Sequence, residues 1–337
     1  MNRPQKTALR AVATSILVLA TATGLSAGTA EFGAWGFDLN GRDLSVSPGD
    51  DFFAYANGQY QRNLVIPPDR SSFSPRSANN VVIEQRIRQI LEAAALPNVA
   101  EPNTTEQQVG AFYASFMDAE RIEALGATPL RTDLAKIHTA SRSRLAALMG
   151  SGVHSFHGSL FEIDVSSDAR DRRSYAVYLG QGGLGLPDRS YYTDPDFEPQ
   201  RTAYRNYAAK LLSLAAWPNP DASAAAILKL ETRIALVSWT KAEQRDPNRT
   251  YNPMGLAELE QSAPGVDWRA YFASTGLGAP KRIVVMEDSA LPRLAAIFAG
   301  TPLKTLRAWA AFRMAGHAAP YLSRDFADAW FEMRGRT

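Results

Sequence analysis

Along most of this chain apolar residues return at intervals of three and four, a spacing that commits it to packed helices rather than to a sheet-based fold. Over about 79–95, Ile83, Ile87, Ile90, Leu91 and Ala94 share one face while Glu84, Arg86, Arg88 and Gln89 lie mostly off it. Val109, Phe112, Tyr113, Phe116 and Met117 repeat in the same way and are expected to form a core stripe. Leu130, Leu134 and Ile137 point inward from a helix opened by Thr128-Pro129. Helices resume from about 198. The longest is expected over about 221–243, through Ile227, Leu230, Ile234, Val237 and Trp239, with others near 288–299, 303–316 and 323–333. Start and stop signals accompany the pattern. Asp50-Asp51 suits the positive end of a short helix, FFAYANGQY, that Asn57-Gly58 is expected to stop. Thr105 and Gln108 stand at capping-box spacing.

Two stretches depart from helical spacing. Phe161, Ile163 and Val165 alternate with Glu162 and Asp164, and Tyr175, Val177 and Leu179 alternate again beyond SSDARDRR, which predicts a β-hairpin. A short strand is expected at 282–286, RIVVM. The fold class is therefore mainly α, a multi-helix body with a small β-hairpin element.

The first thirty residues read differently. Arg3, Lys6 and Arg10 precede the apolar run AVATSILVLATATGL and the small-residue tail SAGTA, the layout of a secretory signal peptide cleaved after Ala27 or Ala30. The apolar run falls short of the roughly 20 residues that span a bilayer, so no stable membrane span is expected. Those three cations come without acids, so the formal charge of +2 for the whole chain becomes about −1 for the remainder. No basic stripe is left to argue for nucleic acid. Cysteine is absent, and an exported protein without disulfides must draw its stability from burial. These features point to a bacterial periplasmic or secreted protein. The expected organisation is a signal peptide at 1–30, an extended lead-in at 31–49 and one helical domain at 50–337.

Residues for chemistry are few. There are four histidines, His138, His154, His157 and His317, and none stands in an H-E-x-x-H frame, where two imidazoles one helical turn apart hold a zinc ion beside a glutamate base. His154 and His157 lie among glycines and serines that argue for a loop, and no acidic neighbour completes a metal site. His138 suits a helix C-terminus, and His317 reads as a partly buried polar residue. Gly180, Gly182, Gly183 and Gly185 lack the Lys-Ser/Thr of a phosphate loop, and Pro187 blocks an immediate helix; they read as a turn that lets backbone pass close to another segment. No G-x-S-x-G elbow occurs. Glu287-Asp288 is explained by turn chemistry. Catalytic and metal residues are thus expected to number none.

Several of these segments fall in a familiar order. Asp50–Gly58 followed by Ile66–Phe73, then Phe112–Asp118, Gln181–Tyr192, Leu230-Glu231 with Ser238-Trp239, and Ala329–Phe331 together resemble the neprilysin and endothelin-converting-enzyme family of zinc metalloendopeptidases. The resemblance implies a helical N-terminal domain that caps a thermolysin-like zinc domain and limits access to peptides. The family's zinc-binding elements would come later than Thr337, so this chain is expected to be the substrate-gating part, inactive alone and without cofactor. A separate catalytic half is one expected partner besides peptides. The alternative is a free-standing helical module that binds peptides or a partner. Where the family places an arginine toward the carboxylate end of the peptide, this chain has Ser72. Arg70 and Arg76, on either side, are the candidate substrate-binding residues. The apolar final helices, with Leu306, Trp309, Ala310, Phe312 and Met314 and then Phe326, Trp330 and Phe331, are expected to leave an exposed patch without the following domain.

Overall fold

Asp51 accepts the Ala54 amide at 2.9 Å and opens α1 (Phe52–Asn63), as an acidic residue at a helix start should. The computed structural model to which this helix belongs describes Gly36 and residues 39–68, 70–96 and 103–336; the expected export segment lies outside the described residues. The chain divides into two units, one up to Glu92 and one from Ala93 onward.

In the first unit Asn57-Gly58 does not stop α1, which runs on to Asn63. A Cβ on Gly58 would fall 2.8 Å from the Asp43 Cβ, so this glycine serves close approach of the preceding turn rather than termination. Asp43 accepts from Arg62 Nη1 at 2.6 Å and from Ser45 Oγ at 2.6 Å, and these bonds hold its carboxyl well below the usual carboxylate range. Within the expected extended lead-in, Leu39–Gly41 forms a 3-10 turn. Ser74 Oγ accepts the Ser77 amide at 3.2 Å, and with Pro75 in first position α2 (Pro75–Ala94) begins earlier than its apolar stripe. Ile83, Ile87 and Ile90 remain exposed.

The second unit opens with α3 (Thr105–Met117). Its reciprocal cap sits one residue before the expected pair: Thr104 Oγ1 accepts the Gln107 amide, and Gln107 Oε1 returns to the Asn103 amide at 2.7 Å. Gly110 faces the end of α2, where a Cβ would lie 2.0 Å from the Ala94 carbonyl oxygen. Val109, Phe112, Phe116 and Met117 are exposed, not a core stripe. Periodicity locates a face; here the bare backbone at Gly110 makes the close contact and the aromatic face looks outward. Asp118 caps α4 (Ala119–Leu125), and a 3-10 turn at Thr128–Leu130 leads into α5 (Arg131–Thr139), with Leu130, Leu134 and Ile137 buried as expected. α6 (Arg142–Ser151) follows.

The hairpin forms as the alternation predicts, from β1 (Phe161–Ser167) and β2 (Tyr175–Gln181), paired from Phe161 opposite Gln181 to Ser167 opposite Tyr175. It grows into something larger. After α7 (Ser190–Thr193), α8 (Glu198–Leu214) and α9 (Pro220–Val237) come β3 (Asn252–Met254), α10 (Leu256–Ser262), α11 (Trp268–Ser274) and β4 (Ile283–Val285). The sheet order is β1-β2-β4-β3, with β4 parallel to β2 and antiparallel to β3. β3, three residues around Pro253, is too short to show a period. Asp168 anchors the hairpin loop: its carboxylate accepts from Tyr251 Oη at 2.7 Å and lies 2.9 Å from Arg282 Nε.

The chain closes with α12 (Leu291–Gly300), α13 (Leu303–Ala318) and α14 (Arg324–Phe331). Leu306, Trp309, Ala310, Phe312 and Met314 of α13 are all buried, against α8, α9, α5 and α6. The exposed patch expected here is therefore not found; α13 is the unit's own central helix, and only Phe331 of the named residues is exposed. α9 ends at Val237, short of Trp239. At its C-terminus α12 gives the carbonyls of Phe298 and Thr301 to the Arg142 guanidinium.

Candidate functional site

β2 and β4 run out side by side, and a cleft of about 700 Å³ opens where they end. Carboxyl ends of parallel strands are a favoured place for a ligand. The Gly-rich turn after β2 forms the floor, and its glycines answer to space. A Cβ on Gly185 would lie 1.7 Å from Tyr204 Oη, and Gly183 has φ of 89°.

Beneath this floor sits a fully buried carboxylate. Glu231 Oε2 accepts from Tyr192 Oη at 2.6 Å and from the Gly185 amide at 3.1 Å. Its Oε1 accepts from Trp309 Nε1 at 2.9 Å and Tyr204 Oη at 3.1 Å. Tyr192 Oη in turn receives the Gly185 and Leu186 amides. Arg313 donates to the Leu184 carbonyl at 3.1 Å. Burial raises the pKa of Glu231, and Arg313 together with the donors opposes that rise. Burial, then the Glu231 charge, pushes the Tyr192 and Tyr204 phenols well above their ordinary value. Five residues from four helices thus lock one turn. Sequence reading missed Glu231, although a signal was there: a glutamate at the centre of the apolar face made by Ile227, Leu230 and Ile234.

A second lock holds the side of the cleft. Glu287 opens a turn as expected, its carbonyl taking the Ala290 amide at 3.1 Å, but its side chain is buried and accepts from the Gln181 amide at 2.8 Å and from Gln244 Nε2 at 2.9 Å. Gln181 pairs with the Trp239 backbone through both ends of its amide, at 2.6 and 3.1 Å. Burial raises the Glu287 pKa from its ordinary 4.5, Glu162 adding to the rise and the two donors opposing it. A carboxyl raised in the fold binds its proton more tightly there than in the unfolded chain. Its contribution to stability is full below the unfolded value and is lost as pH rises through the folded one. Glu287→Gln should remove that slope. As pH rises from the ordinary glutamate range through the raised folded value, the variant's urea midpoint should climb relative to that of wild type. Parallel pH profiles in the two proteins would show that Glu287 does not titrate there.

Glu162, Asp188, Arg189 and Lys241 give the cleft charged groups of both signs. Asp188 accepts the Ser190 amide just ahead of α7 at 2.9 Å, and Arg189 Nε holds the Ala235 carbonyl near the end of α9 at 3.0 Å. The motif residues from Gln181 to Tyr192 therefore brace the turn.

The histidines do not gather. His154 is exposed in the turn after α6, as the loop reading expects, while His157 is buried with Nδ1 unpartnered and its pKa lowered by burial. His317 keeps an exposed edge while burial lowers its pKa, and its Nδ1 lies 3.0 Å from the Phe156 carbonyl. His138 ends α5 against Trp217. Zinc needs three or four protein ligands. Among the described residues no three His, Asp or Glu side chains converge to supply them, so the residues present do not fit the ion.

Arg70 and Arg76 lie in the first unit. Arg70 closes a turn onto the Pro67 carbonyl at 3.0 Å, and its half-buried guanidinium is 3.9 Å from Glu84. Arg76 is exposed in the first turn of α2.

Among solved structures, the zinc metalloprotease Zmp1 of Mycobacterium tuberculosis in complex with an inhibitor superposes with a TM-score of 0.79 at 30% identity, over 89% of this chain and 46% of that one. PepO from Lactobacillus rhamnosis HN001 shares the fold at a TM-score of 0.68 and 19% identity. Endothelin-converting enzyme-like 1 of Mus musculus is 28% identical over 311 residues, 86% of this chain and 40% of the relative. Endothelin-converting enzyme 1 of the same organism is 27% identical over 309 residues, 86% of this chain and 39% of the relative. The chain thus spans less than half the length of these relatives. The fold is that of a metallopeptidase N-terminal domain, mostly helical with a small sheet. The model of Peptidase family M13 matches residues 48–337, and the chain belongs to that family.

Proposed function

We propose that this chain is the N-terminal, substrate-gating region of an exported zinc metalloendopeptidase, selecting peptides without hydrolysing them itself. The observation that carries this reading is the M13 match over residues 48–337 in a sequence that holds no H-E-x-x-H. Residues 1–30 act as a signal peptide and 50–337 as the gating domain, in the periplasm or outside a bacterial cell. No described helix is long and apolar enough to cross a membrane. Zinc and its glutamate base come from a catalytic half, and Arg70 and Arg76 meet the peptide's carboxylate end. Purified chain supplied with zinc should leave peptides intact, and a separately produced catalytic half should restore cleavage. Chelator-sensitive cleavage by the chain alone overturns this reading. Arg70→Ala and Arg76→Ala together should weaken capture of peptides with a free C-terminal carboxylate by about tenfold and leave C-terminally amidated peptides unaffected. Equal losses for both would assign the arginines a structural duty instead.

One observation favours the alternative of a free-standing binding module. α13 and Phe326 of α14 are buried within the second unit's own core, which gives that unit the interior of a self-sufficient domain.

A further inference from the structure

β1 stands at one end of the sheet, and among the described residues its outer edge is bare. The Leu160 carbonyl accepts from the Gly182 amide at 3.0 Å, and the Asp168 amide donates to the Ser174 carbonyl at 2.9 Å. Hydrogen-bonded and non-bonded pairs alternate along an antiparallel ladder. Glu162, Asp164 and Ser166 therefore turn their backbone groups toward β2, and Ile163 and Val165 turn theirs outward. Among the described residues no strand pairs with this edge, and neither outward residue's amide or carbonyl meets a partner.

Edge strands are ordinarily blunted by proline, lysine, a bulge or a cover. β1 has no proline or lysine, and its register is unbroken from Phe161 to Ser167. Val165 is 45% exposed. Two exposed carboxylates, Glu162 and Asp164, project from one face. Those charges decide between occupants. A second copy added antiparallel and centred on Ile163 sets Glu162 against Asp164. Centred on Asp164 it sets that residue against itself. Like charges directly opposite are unfavourable in each register, whereas lysine or arginine at alternate positions of an incoming strand meets both carboxylates.

We propose that the outer edge of β1 takes up an extended basic peptide as an added strand, bound by the backbone groups of Ile163 and Val165 and selected by Glu162 and Asp164. Phe161, Glu162 and Ile163 also line the cleft, so the added strand meets it at one end. The inference rests on the peptide-handling reading only for the class of ligand.

The test uses the full chain and a short labelled peptide of alternating lysine and threonine. Binding should slow hydrogen exchange at the Ile163 and Val165 amides. Val165→Pro removes one outward donor that the β1–β2 ladder does not use, so circular dichroism and the thermal melt should match wild type. Affinity should fall about tenfold. Asp164→Lys should weaken the same peptide by about three- to tenfold and favour one of alternating glutamate and threonine. A Val165→Pro protein that folds and binds as wild type does overturns the proposal. So does a dimer that Val165→Pro abolishes in a chain that takes up no peptide, which would assign the edge to a second copy. If the Arg70 and Arg76 variants weaken capture of this peptide and Val165→Pro does not, the gating reading stands and the edge-strand proposal falls.

Discussion

Glu231→Ala is expected to destabilise the second unit by about 3–5 kcal/mol, the cost of breaking a buried charged network from one side. The substitution leaves the Tyr192 and Tyr204 hydroxyls and the Trp309 indole without their buried acceptor. It also removes the carboxylate that balances the Arg313 charge. Tyr192→Phe deletes one donor and should cost only about 1–2 kcal/mol. Urea unfolding of the three proteins, followed by tryptophan fluorescence, measures both. A cost for Glu231→Ala no larger than that for Tyr192→Phe would show that the carboxylate does not organise the network.

The second large effect is steric. Gly185→Ala places a methyl group 1.7 Å from Tyr204 Oη, 2.4 Å from Tyr204 Cζ and 2.9 Å from Arg313 Nη1. None of these can swing aside freely, because Tyr204 is fully buried and bonded to Glu231. A loss of about 3 kcal/mol is expected, at the upper end of overpacking costs. Tyr204→Phe removes the nearest atom, so a double-mutant cycle should recover part of the loss. Strict additivity of the two substitutions would place the cost of Gly185→Ala elsewhere.

How much of this was legible beforehand depends on whether a feature is local. The β1–β2 hairpin was, because alternation along Phe161–Val165 and Tyr175–Leu179 is read within one stretch. So was the role of the Gly180–Gly185 turn as a point of close approach. The apolar stripes of α2 and α3 were seen as stripes, yet periodicity does not say whether a face meets protein or solvent. Gly110 decided that for α3, through a backbone contact the pattern does not encode. The order β1-β2-β4-β3 joins segments far apart in the chain, and β3 is too short to announce itself. Glu231 and Glu287 escaped for the same reason, since their donors arrive from other elements. Arg70 and Arg76 came from resemblance alone.

The parallel pairing of β2 with β4 also bears on how the second unit is made. The bond from the Gln181 amide to Glu287 closes a loop of 106 residues, and five helices, α7 to α11, lie between the two strands. Loop-closure entropy must be met before such a contact returns anything, so contact order sets this step as slow. The β1–β2 hairpin can form early from neighbours in the chain, whereas β4 can dock only after that intervening chain has collapsed. Until then the inner edge of β2 is as open as the outer edge of β1, and the nascent domain exposes a strand that the finished sheet holds in its interior.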